Sequence, residues 1–157
     1  MQRLHQVVQI TLGQHGEGSE SDDGMDLGVC YLGGDMTKVT FAGARFELHL
    51  VEDGEVRTIK GTNSGIGYYG IPHNQSFEEH EIDNLEGKSF YMTSDGLTDQ
   101  VGGERSRMLG KKRFRTLLAE IKALPMIEQK TRILDALNKY QGDQNRRDDI
   151  SVIGFKV

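Results

Sequence analysis

Two short acidic runs in this chain could do chemistry. Ser94-Asp95-Gly96-Leu97-Thr98-Asp99 follows directly on the apolar stretch ending at Thr93, and Arg146-Arg147-Asp148-Asp149 stops directly before the apolar stretch beginning at Ile150. Carboxylates gathered at one sheet edge repel one another unless a cation lies between them. Hard oxygen ligands favour Mg2+ or Mn2+ over zinc, and a chain whose only cysteine is Cys30 has no thiolate cluster. A divalent-metal site is therefore the natural hypothesis for Asp95 and Asp148. It requires that the two strands be antiparallel neighbours, so that the C-terminal end of one meets the N-terminal end of the other. In a parallel pair a full strand length would separate the carboxylates. Gly96 permits a tight turn and close backbone approach beside Asp95. Asp99, four positions on, adds a peripheral ligand if a short helical turn follows Asp95. Taken singly, each run is also ordinary strand-to-turn punctuation, because Asp-Gly and Asp-Asp are common in turns.

The elements that must position these residues follow from periodicity. Leu4, Val7, Val8 and Leu12 recur close to helical spacing, which predicts an amphipathic helix over 1–12 with Gly13 as its stop. Polar, Gly-rich residues 15–24 predict an exposed acidic loop. Apolar runs at 25–32, 38–42, 46–51 and 55–60 are separated by turn signals, including Glu52-Asp53-Gly54, and read as a four-stranded antiparallel meander. Two further strands are predicted at 76–82 and 88–93. Phe114, Leu117, Leu118 and Ile121, then Ile133, Leu134 and Leu137, predict two helices separated by Leu124-Pro125. A last strand spans 150–157. Helix, strands, two helices and a strand make an α+β chain.

Composition bounds the function. A length of 157 residues, 36% hydrophobic and 27% charged, suits one globular domain. Nineteen Lys and Arg against 24 Asp and Glu give a net charge of -5, which disfavours a strongly basic nucleic-acid binder. No apolar run is long enough to span a membrane, and the first residues lack the apolar core of a secretory signal, so a cytoplasmic location without membrane contact is expected. Cys30 reads as a small buried strand residue. Gly65 to Gly70 fits the pattern of a dinucleotide loop, but Ile71-Pro72-His73 opens no helix after it, so the segment is expected to be a flexible loop. Gly103 to Lys111 has the wrong glycine spacing for a phosphate loop.

Taken together, YMTSDGLTDQVGG (91–103) and RRDDISVIGFKV (146–157) resemble the last two motifs of the metal-dependent (PPM-type) protein serine/threonine phosphatases, in their bacterial SpoIIE-like branch. DDGMDLGVCYL (22–32), VTFAGARFEL (39–48) and the 61–70 loop follow in that branch's order. The resemblance implies an antiparallel β-sandwich flanked by helices, with two Mn2+ or Mg2+ ions at one end. There a metal-bridging water attacks the phosphorus of a phosphoserine or phosphothreonine. By the same resemblance Asp95 and Asp148 are metal ligands, Asp99 falls where some members hold a weaker third ion, and Gly96 and Asp149 stand beside the ligands.

Family members begin with strands carrying an early Asp and an Asp-x-x-Gly-His-Gly segment, and neither precedes the first helix here. The expectation is thus a partial domain over 1–157 lacking its N-terminal strands, inactive or nearly so alone, with exposed sheet edges that favour a homodimer. The resemblance further implies a phosphorylated regulatory protein as substrate, an anti-sigma-factor antagonist, and a place as the cytoplasmic domain of a larger sensor protein. Two other readings are a non-catalytic protein-binding module on the same fold and a calcium-binding β module using residues 17–23.

Overall fold

A computed structural model describes residues 1–14 and 21–157. The acidic loop expected over 15–24, and with it most of the calcium-site reading, lies largely outside the described residues. In chain order the elements are α1 (Gln2–Thr11), β1 (Leu27–Leu32), β2 (Lys38–Ala44), β3 (Glu47–Glu52), β4 (Glu55–Lys60), β5 (Glu79–Asp83), β6 (Ser89–Thr93), α2 (Asp95–Asp99), β7 (Val101–Gly102), β8 (Arg107–Met108), α3 (Gly110–Ile121), α4 (Met126–Gln141) and β9 (Val152–Lys156). Two compact units result: Met1–Leu48 with Ile59–Leu85, and His49–Thr58 with Glu86–Val157.

The first unit holds an antiparallel sheet in the order β1-β2-β5, with β2 in the centre. The expected meander is not formed, because β3 and β4 belong to a separate sheet of order β4-β3-β6-β9. The reason lies at the corner after β2. Arg45 takes a left-handed conformation (φ 50°), its amide donates to Thr62 O at 2.8 Å, and Gly61 N donates to Phe46 O at 3.0 Å. Gly43 and Gly61 face each other so closely that a Cβ on Gly61 would lie 2.4 Å from Gly43 Cα. The corner is therefore bonded to residues 61–62 rather than closed as a hairpin. Where a hairpin does form, Asp53 (φ 49°) and Gly54 (φ 81°) both adopt the left-handed region that a two-residue turn between twisted strands demands.

Helix α1 ends as expected, with Gly13 at φ 67°, yet it lies polar side inward. His5 and Gln9 are buried, whereas Leu4, Val7 and Ile10 are 40%, 47% and 55% exposed. What they bury against is main chain. Gly67 N donates to His5 Nδ1 at 3.0 Å, and His5 Nε2 donates to Pro72 O at 3.1 Å. Gln9 Nε2 donates to Tyr68 O and Ile71 O at 3.0 and 2.8 Å. A buried amide or imidazole whose hydrogen bonds are all made is well tolerated. Residues 61–70 form a loop, as expected, anchored at Ile66, which is fully buried and exchanges backbone hydrogen bonds of 2.8 and 2.9 Å with Met25.

Cys30 lies on β1 as expected, half-buried rather than buried, and that burial pushes its thiol up to about 11. Thiolate is the reactive form, so alkylation of Cys30 by iodoacetamide at mild alkaline pH is expected to run about a hundredfold slower in the folded chain than in urea. Mass spectrometry against time checks this; equal rates in the two states would contradict it.

In the second unit β6 is central, flanked by β3 and β9, both antiparallel to it. Tyr91 and Val51 from the sheet, Leu97 from α2, Phe114, Leu118 and Ile121 from α3, and Ile133 and Leu137 from α4 form its core. Both helices present the apolar positions that their three- and four-residue spacing predicts, save that Leu134 is 47% exposed. The Tyr91 hydroxyl donates to Gln129 Oε1 at 2.5 Å, which satisfies both groups inside the core. The short α2 and the β7–β8 hairpin are elements that periodicity does not reveal.

Candidate functional site

The β6–β9 ladder decides whether the acidic runs can meet. Its register pairs Ser89 with Lys156 at one end and Thr93 with Val152 at the other, antiparallel throughout. Beyond the last rung the two chains remain joined. Ser94 N donates to Ser151 O, and Ser151 N donates to Ser94 Oγ, each at 3.0 Å. The Ser94 hydroxyl in turn donates to Asp149 O at 3.1 Å, and Thr93 Oγ1 donates to Ser151 O at 3.1 Å. The two acidic runs thus emerge from the same end of one strand pair.

Asp95 opens α2 directly after this junction, and Asp99 closes the same helix. Buried Leu97 anchors the helix while both carboxylates stay exposed. Thr98 Oγ1 donates to Asp95 O at 3.1 Å and lies 3.4 Å from Asp99 Oδ1. Asp148 and Asp149 are also exposed, and Asp148 Oδ1 accepts the Asp149 amide at 2.7 Å, which fixes that carboxylate against its own turn. Gly96 is where the two runs touch: a Cβ there would stand 2.3 Å from Asp149 O. Asp95, Gly96, Asp148 and Asp149 therefore share one end of the ladder, while Asp99 lies one helical turn away.

Among the described residues, no group of three or more His, Cys, Asp or Glu gathers as a metal ion would require. Mn2+ and Mg2+ seek about six oxygen ligands. The donor set seen here is incomplete for either ion, and no step through a metal follows from it. Ser94, which stitches the strands together, and Gln100 were not among the residues the sequence singled out. Gln100 is fully buried after α2 and donates to Val101 O and Asn145 O at 3.0 and 3.1 Å, while its Oε1 has no partner among the described residues. Nothing in the spacing of Gln100 announces this role, whereas a Ser immediately before Asp95 at a strand end was a visible cue.

The family model described as stage II sporulation protein E (SpoIIE) matches residues 2–157. Among solved structures, the SiaA-PP2C domain of Pseudomonas aeruginosa is 30% identical, with a TM-score of 0.75, over 85% of this chain and 52% of that one. The phosphatase domain of SpoIIE from Bacillus subtilis (Mn presoaked) is 12% identical at a TM-score of 0.61, over 84% and 56%. The serine/threonine phosphatase PstP/Ppp of Mycobacterium tuberculosis is 13% identical at 0.60, over 96% and 66%. The last two likenesses show the fold: α+β, with antiparallel sheets and helices. The chain spans about half the length of the first two of these structures. No curated protein matches it.

Proposed function

Because the chain belongs to the SpoIIE family of PPM-type serine/threonine phosphatases, we propose that it serves metal-dependent hydrolysis of phosphoserine or phosphothreonine on a regulatory protein. The observation that carries this reading is the antiparallel β6–β9 pair, which delivers Asp95 and Asp148 to one end of a sheet. In this reading residues 1–157 are part of a single phosphatase domain. Asp95 and Asp148 would each offer one carboxylate to a Mn2+ or Mg2+ centre of two ions, Asp99 would serve a weaker third, and Gly96 and Asp149 shape the turn between them. When bound, such a centre lowers the pKa of its water and offsets charge on the phosphoryl oxygens.

In this reading the centre's remaining ligands come from outside the two acidic runs, and residues 1–157 by themselves are expected to be inactive or nearly so. The substrate of the whole protein is assigned as an anti-sigma-factor antagonist. Among the described residues β1, β5, β4 and β9 are edge strands, which favours a homodimer. Among the described residues no helix is long and apolar enough to cross a membrane. On the family likeness alone, the segment is proposed to belong to the cytoplasmic part of a larger sensor protein. The incomplete donor set also supports a second reading, a non-catalytic protein-binding module on the same fold.

The test is Mn2+-dependent phosphate release from a phosphoserine protein by a chain extended upstream, with Asp95→Asn and Asp148→Asn beside it. Each substitution is expected to reduce turnover on the order of a hundredfold or more, since each removes a charged ligand. Undiminished turnover in both variants would refute the assignment. Absence of turnover in every extended chain would favour the binding module.

A further inference from the structure

The second unit carries a concentration of positive charge that the proposed chemistry does not use. Residues 104–115 hold Arg105, Arg107, Lys111, Lys112, Arg113 and Arg115 against the single acid Glu104, in a chain with a net charge of -5. All six cations are exposed, on the β7–β8 hairpin and the first turns of α3. The ion pairs among the described residues use none of Arg105, Arg107, Lys112, Arg113 and Arg115.

Three of these arginines line one recess. Arg105, Arg107 and Arg113, together with Glu104 and Tyr140, line a hollow of about 320 Å³. Its frame is held in place. The Arg113 guanidinium sits 5.4 Å from the centre of the Tyr140 ring and donates to Leu109 O at 3.1 Å. The Tyr140 hydroxyl donates to Arg107 O at 2.9 Å, and Gly103 N donates to Tyr140 O at 2.7 Å. At Gly102 a Cβ would lie 1.9 Å from Tyr140 O, so only glycine lets the hairpin approach the end of α4. Guanidinium groups around an open hollow suit carboxylates and phosphates, which they bind in bidentate fashion.

We infer that the recess of Arg105, Arg107 and Arg113 is a docking site for an acidic segment of the protein substrate. The inference deepens the phosphatase reading and rests on it. The hairpin begins two residues beyond Asp99, so one substrate polypeptide can supply both the acidic segment held there and the residue presented at the α2 end. A nucleic acid fits less well. Outside 104–115 the chain carries 13 Lys and Arg against 23 Asp and Glu, so a long polyanion leaving the patch meets repulsion.

The test is fluorescence anisotropy on the full chain, run without metal so that nothing is hydrolysed. The probes are a short labelled peptide with one phosphoserine beside a run of glutamates, the same peptide with glutamines in their place, and a short DNA duplex. The acidic peptide is expected to bind about tenfold tighter than the glutamine version, with an advantage that shrinks as salt is added and disappears in Arg105→Glu/Arg107→Glu. Should that variant fold poorly by circular dichroism, Arg105→Gln/Arg107→Gln is expected to lose part of the same advantage. Equal affinity for the two peptides, indifference to both double substitutions, or tighter binding of the duplex would each overturn the inference. Failure of the phosphatase reading alone would show in the hydrolysis assay and leave this titration unchanged.

Discussion

Alanine at position 96 is expected to destabilise the chain by about 2–4 kcal/mol and to spread the two acidic runs apart. The added methyl would meet Asp149 O at 2.3 Å, Asp149 C at 3.0 Å and Ile150 Cγ1 at 3.3 Å. The first two are main-chain atoms that no rotamer change can move. They are also tethered, because Asp149 O accepts the Ser94 hydroxyl and Ser151 is bonded to Ser94 in both directions. Against this stands the helix propensity gained on replacing Gly inside α2, at most about 1 kcal/mol. The clash is the larger effect. Urea denaturation measures it, with Gly34→Ala as the control, since a Cβ at Gly34 meets nothing within 4 Å. Wild-type stability in the Gly96→Ala chain would show that the runs can part to admit a methyl group and would refute this account.

A second large effect is expected at Gln14, whose side chain is 2% exposed and uses its full hydrogen-bonding capacity. Its Nε2 donates to Asp23 O at 2.6 Å and Gly67 O at 2.8 Å, while its Oε1 accepts from Asp23 N at 2.7 Å and Ser21 Oγ at 3.0 Å. Leucine would fill similar space and leave the main-chain groups of Asp23 and Gly67 without these partners. Each orphaned buried group costs about 1–3 kcal/mol, so Gln14→Leu is expected to lose about 3–5 kcal/mol in urea denaturation. Gln14→Glu tests the cause. It keeps the acceptor but turns a charged oxygen toward two carbonyls, so it is expected to be at least as damaging at neutral pH. Its carboxyl would then titrate higher folded than unfolded, and the variant would regain stability as pH falls. If Gln14→Leu stayed within about 0.5 kcal/mol of wild type, the four bonds would not carry the weight given to them.

What the sequence disclosed and what it hid divide along physical lines. Helices α3 and α4 were legible because their apolar residues repeat at the helical period, and the Asp53-Gly54 turn because both residues tolerate positive φ. Strand β4 falls at the residues its pattern predicts. Partners were not legible. Alternation along a strand states which side chains share a face, but not that β2 pairs with β5 across the intervening hairpin rather than with β3. Helix α1 misled for a different reason. Its buried side chains are polar because they answer carbonyls and an amide some 60 positions away, and no local hydropathy pattern contains that information. The ends of β6 and β9 carry Asp95 and Asp148 where strand-end chemistry suggested, since both runs abut apolar strands.

His5, Gln9 and Gln14 grip the stretch from Gly67 to Pro72 through its peptide groups and not through its side chains. Beyond Gly67, where φ is 89° and a Cβ would lie 2.4 Å from Val8 Cγ1, a grip of that kind is blind to which side chains it holds. Residues such as Tyr69 and Ile71 can therefore diverge between relatives while the path of the loop stays the same, and new surface character can evolve there without any matching change in the helix that supports it.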